Sequence, residues 1–218
     1  MSTVNKPRSE GGHAFHFDSA EHEFETSKFG IWLFLCTEVL MFGGLFVAYF
    51  LFEHKFPKTF LEGATYLDWK FGAINTAVLL LSSFTMVLSI YYAQKNNTKK
   101  CVNMLFITLA CGFIFMFIKY LEYSHKIHLG ILPGEMFSFT GEVGASNLGL
   151  YFSTYYMMTG LHGSHVLVGM GLIVWCIVRA RRGEYNSKYF TTLECVGLFW
   201  HLVDLIWIYL FPLLYLID

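Results

Sequence analysis

Apolar residues fall in five long blocks, about 29–52, 72–92, 102–120, 148–178 and 196–217, with polar residues gathered in the short segments between them. A helix crossing the hydrocarbon core of a bilayer needs roughly 20 predominantly apolar residues, so each block is long enough to cross once. The pattern predicts an all-α, polytopic integral membrane protein with five transmembrane helices over 29–218, preceded by a polar tail over 1–28. No separate soluble domain fits in what remains. The tail lacks the apolar stretch of a cleavable signal peptide. The segment 121–147 contains Gly and Pro without periodicity and is predicted to be an irregular outer loop. Pro212 is predicted to bend or loosen the last turns of the fifth helix.

Composition agrees with the pattern. The 218 residues are 55% hydrophobic and 14% charged, against about 25% charged in an ordinary soluble domain. A net charge of −1 without a basic cluster gives no reason to expect nucleic acid. Ten of the fifteen basic residues lie in the tail (Lys6, Arg8, Lys28), the second connection (Lys95, Lys99, Lys100) and the fourth (Arg179, Arg181, Arg182, Lys188). Those three segments share one side of a five-span protein. The excess predicts a cytoplasmic N-terminus and an external C-terminus. Lys55, Lys58, Lys70, Lys119 and Lys126 are placed on the other side, and Trp32, Trp69 and Trp175 at the span ends. The five cysteines form no C-x-x-C pair and are read as small buried hydrophobes.

Ionisable residues inside the apolar blocks carry the chemistry. Such groups are costly in hydrocarbon and normally face a protein interior or a water-filled path. Glu38 sits in the first block, His162 and His165 in the fourth, His201 and Asp204 in the fifth. Met158, His162, His165 and Gly169 follow one helical stripe, and Gly160, Gly163, Gly169 and Gly171 are expected to let a neighbouring helix approach closely. His201 and Asp204, at i and i+3, are expected to be able to touch. By rise alone, Glu38 and Asp204 lie at similar depth, roughly 15 Å from the cytoplasmic edge. The two histidines of the fourth block are too close along one helix to be opposed haem ligands. The paired Glu-x-x-His pattern of a di-metal bundle is missing. A proton relay through Glu38, His201 and Asp204 stays open beside the reading favoured here, in which the polar groups bond to one another and fix helix register.

Five segments together resemble subunit III of haem–copper terminal oxidases. They are KFGIWLFLCTEVLMFGGLFVAYF at 28–50 with its buried Glu38, NTAVLLLSS at 75–83 beginning with Asn75, Glu122-Tyr123, TGLHGSHVLVGMG at 159–171, and WHLVDLIW at 200–207. The resemblance is to the short five-helix form found in bacteria, without the N-terminal helix pair of seven-helix members. It implies a subunit with no active site and no haem, copper or other metal of its own. Such a subunit packs on the catalytic subunit I beside subunit II and other small subunits, in the inner membrane of a bacterium. The resemblance also implies bound phospholipid, a lipid-filled approach for oxygen, and support of proton uptake and of stability during turnover. Such a complex is expected to be a proton-translocating cytochrome c oxidase, with quinol left open as the donor because this subunit does not bind it. A self-contained proton or ion transporter, and an accessory subunit of a quinol oxidase or nitric oxide reductase, are the alternatives. Glu38, Asn75, His162, His165, His201 and Asp204 become its buried polar set. His13, His16 and His22 of the tail form a possible proton-collecting group, since histidine titrates near neutrality.

Overall fold

A computed structural model describes residues 20–131, 148–187 and 189–217. The elements are α1 (Ala20–Lys55), α2 (Pro57–Ala64), α3 (Trp69–Gln94), α4 (Thr98–His128), α5 (Leu148–Arg181) and α6 (Thr191–Tyr215), with no strand among the described residues. Five of the six, all but α2, are long and apolar enough to cross a membrane. The sequence boundaries shift in three places. Helix α1 begins inside the segment expected to be a polar tail. Helix α4 runs on to His128 where a loop was expected from 121, and short α2 was not foreseen.

Periodicity explains how these helices pack. The buried positions of α3 include Gly72, Asn75, Leu79, Ser82, Met86, Ser89 and Ala93, and those of α4 include Cys101, Leu105, Thr108, Gly112, Phe115, Lys119, Glu122 and Lys126. Both sets step by three and four residues, the narrow seam of closely packed, nearly parallel or antiparallel helices. Helices α3 and α4 form a hairpin; α6 packs against α3, and α5 closes the group against α4 and α6. Helix α1 lies outside this four-helix core, mainly against α6, through Leu35, Phe42 and Tyr49. In its apolar window 11% of residues are buried, against 50% in α6, so most of the α1 circumference faces outward.

The connections are specific. Asn96 takes a left-handed φ of 56° between α3 and α4, and Asn97 caps α4 by accepting from the Lys100 amide. Gly130 and Gly183, both at φ 73°, terminate α4 and α5. Beyond each glycine an amide reaches five residues back, Ile131 to Lys126 and Glu184 to Arg179, which satisfies carbonyls that a helix end would leave open. Helix α2 starts on Pro57 and wedges Phe60 between the rings of Tyr49 and Tyr151. Those two tyrosines donate to the carbonyls of Leu213 and Leu214, acceptors left open just past Pro212 at the end of α6. Pro212 lies inside α6, and the helix persists to Tyr215.

The glycines of α5 divide into two groups. A Cβ on Gly169 would meet the Trp200 ring at 2.7 Å, the close approach expected from the sequence. Gly160, Gly163 and Gly171 have nothing within 4 Å of that position, so none of the described helices packs on them there. Gly169→Leu is expected to overpack the α5–α6 contact at a cost of about 1–3 kcal/mol. Gly171→Leu should leave stability unchanged. Thermal unfolding of the two purified variants in one detergent checks the pair, and equal melting temperatures would contradict this packing.

Candidate functional site

Polar side chains in the bundle form three separate groups, each joining different helices. The first lies between α1 and α5. His165 Nε2 is 2.9 Å from Glu38 Oε2, while His165 Nδ1 is 2.8 Å from the Leu161 carbonyl oxygen. A neutral imidazole has one N–H, so donation to either neighbour determines what the other ring nitrogen can do. Phe42 and Phe199 pack on the His165 ring and cover most of the pair.

The second group lies between α3 and α6. Trp200 Nε1 donates to Ser82 Oγ at 3.0 Å, and Ser82 Oγ lies 2.8 Å from the Leu79 carbonyl and 3.4 Å from Asp204 Oδ2. Ser83 Oγ and His201 Nδ1 are 2.6 Å apart, and Trp207 Nε1 donates to Thr76 Oγ1 at 3.1 Å. His201 and Asp204 therefore do not pair with each other, contrary to the i, i+3 expectation. Each takes a serine of α3, on adjacent positions of that helix. Thr85 and Thr108 at 2.7 Å tie α3 to α4 in the same core.

Depth and adjacency are separate matters here. Lys28 pairs with Glu194 at 3.0 Å and Phe34 packs on Phe199, so α1 and α6 run side by side in register. That places Glu38 level with the region of Asp204, as rise alone suggested. The two carboxyls nonetheless turn to different helices, Glu38 to α5 and Asp204 to α3. No direct chain of hydrogen bonds among the described residues joins Glu38, His201 and Asp204.

His162 and His165 share the α5 stripe but part company in space. The buried His162 ring lies tilted against Trp207 and meets Phe115 edge-on, with no hydrogen-bond partner among the described residues for either ring nitrogen. Asn75 is fully buried on α3, and its side-chain amide likewise has no partner among the described residues. Of the proposed tail histidines, His22 is exposed on the first turns of α1, while His13 and His16 lie outside the described residues. Among the described residues no three His, Cys, Asp or Glu side chains are grouped to hold a metal ion.

The third group escaped the sequence reading. Lys119, expected at the outer end of the third block, and Lys126, expected on the outer connection after it, are buried in the bundle on either side of Glu122. Lys119 Nζ is 2.9 Å from Glu122 Oε2, and Lys126 Nζ is 2.6 Å from Oε1. Tyr215 donates to the carboxylate from α6 at 2.7 Å, and Tyr155 from α5 at 2.8 Å. Lys119 also donates to the hydroxyls of Tyr155 and Tyr215, and Lys126 to that of Tyr155. The Lys119 ammonium lies 4.9 Å over the Trp207 ring. The missed signal is the spacing: 119, 122 and 126 continue the three-and-four step of the buried α4 stripe beyond the end of the apolar block.

Such an arrangement defines an integral membrane helix bundle in which most of the ionisable groups set in the apolar helices are bonded to other side chains, in three inter-helix clusters. The model of the family described as cytochrome c oxidase subunit III matches residues 11–218, and the chain belongs to that family. It is subunit III of a haem–copper terminal oxidase. A probable quinol oxidase subunit 3 of Staphylococcus haemolyticus is 28% identical over 201 residues, covering 92% of this chain and 94% of the relative. A probable quinol oxidase subunit 3 of Staphylococcus aureus (strain USA300) is 30% identical with the same coverage. A probable cytochrome c oxidase subunit 3 of Rickettsia conorii is 31% identical over 205 residues, covering 87% of this chain and 66% of the relative.

Removing one member of a buried ion cluster strands its partners, at a cost of about 3–5 kcal/mol. Glu122→Leu is therefore expected to be the most destabilising single change among these clusters. Glu38→Gln, which keeps an acceptor for His165, should cost much less than Glu38→Leu. Detergent-unfolding midpoints order the three variants, and the ranking fails if Glu122→Leu unfolds with the wild type.

Proposed function

We propose that the chain is a non-catalytic subunit that packs on the haem- and copper-bearing subunit I, beside subunit II. There it steadies a complex that reduces oxygen to water and moves protons. What carries the reading is the use of its ionisable residues: Glu38, His165, His201, Lys119, Glu122 and Lys126 each bond within the bundle. Polar contacts between membrane helices fix their register, each for about 0.6–2 kcal/mol. The separation of Glu38 from Asp204 supports this reading over a self-contained transporter.

In this proposal haem and copper belong to the partner subunits, and His162 and His165 serve packing and pairing. The basic connections support a cytoplasmic N-terminus in a bacterial inner membrane. His22, with His13 and His16, would then face the proton-uptake side. Loss of the chain should leave the initial turnover rate of the complex nearly intact and shorten its active lifetime.

Cytochrome c is the proposed electron donor, in keeping with the family's description. One observation favours quinol as a second reading: the staphylococcal relatives named quinol oxidase subunits match over 94% of their length, the Rickettsia relative over 66%.

Purification through a tag on this chain should bring down a complex with a haem absorption spectrum, and the chain separated from it should show none. Oxygen uptake by that complex on reduced cytochrome c or on a reduced quinol then distinguishes the donors. A haem spectrum in the isolated chain would overturn the proposal.

A further inference from the structure

Three buried polar groups in the four-helix core point to a common ligand. On α3, Asn75 is fully buried, and neither the oxygen nor the nitrogen of its side-chain amide has a partner among the described residues. On α5 the same holds for both ring nitrogens of buried His162. On α6, Asp204 is buried with Oδ1 unpartnered. Its Oδ2 is 3.4 Å from Ser82 Oγ, whose single hydrogen the Leu79 carbonyl at 2.8 Å also attracts.

The three groups lie close to one level. Trp200 bonds to Ser82 and Trp207 to Thr76, so α3 and α6 run in opposite directions, and Asn75, next to Thr76, stands at the height of Trp207. The His162 and Trp207 ring centroids are 5.3 Å apart. Asp204 precedes Trp207 by three residues, about 4.5 Å of rise. Polar groups enclosed without partners are costly, and in protein cores nearly all are met by protein or by ordered water. The polar side chains around this level are already engaged. Thr76 Oγ1 accepts from Trp207 and donates to the Gly72 carbonyl, and Thr159 Oγ1 donates to the Tyr155 carbonyl. The hydrogens of the Lys119 ammonium go to Glu122, Tyr155 and Tyr215.

The chemistry of the three groups selects the ligand. It must both donate and accept, because the Asn75 amide does both and Asp204 Oδ1 presents an oxygen. The Asp204 carboxyl disfavours an anion, and the Lys119 ammonium, 4.9 Å over the Trp207 ring, disfavours a cation. A small neutral molecule that fills both roles is water, which inside proteins makes about three hydrogen bonds to groups otherwise unpaired. We propose that the core binds ordered water at this level, one or more molecules walled by α3, α5 and α6 and hydrogen-bonded to the Asn75 amide, a ring nitrogen of His162 and Oδ1 of Asp204. The proposal goes beyond the role of the chain as a subunit and rests on neither its partners nor the electron donor.

Electron cryomicroscopy of the purified oxidase complex, at a resolution that shows ordered water, tests it. In the wild type, density is expected about 2.7–3.2 Å from the Asn75 amide, from a His162 ring nitrogen and from Asp204 Oδ1. Asn75→Leu should remove the density beside α3. Absence of density at any one of the three groups in the wild type, or a protein group bonded there in its place, would overturn the proposal. Solid-state NMR of the complex carrying isotope-labelled histidine gives a second reading that needs no map. Magnetisation should pass from water to the His162 ring, whose signal is identified by its loss in His162→Phe, and a ring that receives none would also overturn the proposal. If no oxidase co-purifies, both measurements are made on the isolated chain in lipid nanodiscs.

Discussion

A hydrocarbon interior offers a polar group no water, so every donor and acceptor placed there must find a partner in protein or stand at a cost. The bundle is arranged around that constraint. Serine and threonine on α3 face tryptophan, histidine and aspartate on α6, and tyrosine hydroxyls take up the open carbonyls at the end of α6. The heaviest electrostatic load, Lys119, Glu122 and Lys126, is held by hydroxyls from two further helices. Because the partners lie on different helices, satisfying each group also sets the vertical register of a helix pair. Apolar side chains alone could not do this, since lipid tails solvate them as well as a neighbouring helix does.

The same constraint accounts for the form of the packed surfaces. A narrow seam with small residues brings backbones close, and close backbones let short serine and threonine side chains reach across. Ser82 reaches both Trp200 and Asp204 because Gly197 on α6 and the small face of α3 keep those helices together. The aromatic residues act at a larger scale. Trp207 sits between Phe115, His162 and Lys119, and so joins the α3–α6 cluster to the lysine cluster by contact.

Much of this was legible in the sequence. Apolar block length suffices for five crossings, and the depth of Glu38 and Asp204 followed from helical rise. What the sequence could not supply was azimuth. His162 and His165 differ by three positions on one stripe, yet His162 meets Phe115 of α4 and Trp207 of α6 whereas His165 reaches Glu38 of α1, because α5 packs against all three helices. His201 and Asp204 could reach each other, but two serines on a closely packed helix offer each a better-placed partner. The lysine cluster was hidden by charge: hydropathy ends α4 near 120, whereas its burial period continues to Lys126. Position inside apolar blocks picked out Glu38, His162, His165, His201 and Asp204; helix adjacency shows that Glu38 and His165 form one cluster and His201 and Asp204 belong to another.

Helix α1 touches the rest of the molecule along a single seam and leaves its remaining circumference to its surroundings. Modular growth of the architecture follows. Additional helices could be appended against α1, or dispensed with, while the α3–α6 core and its polar clusters stayed as they are.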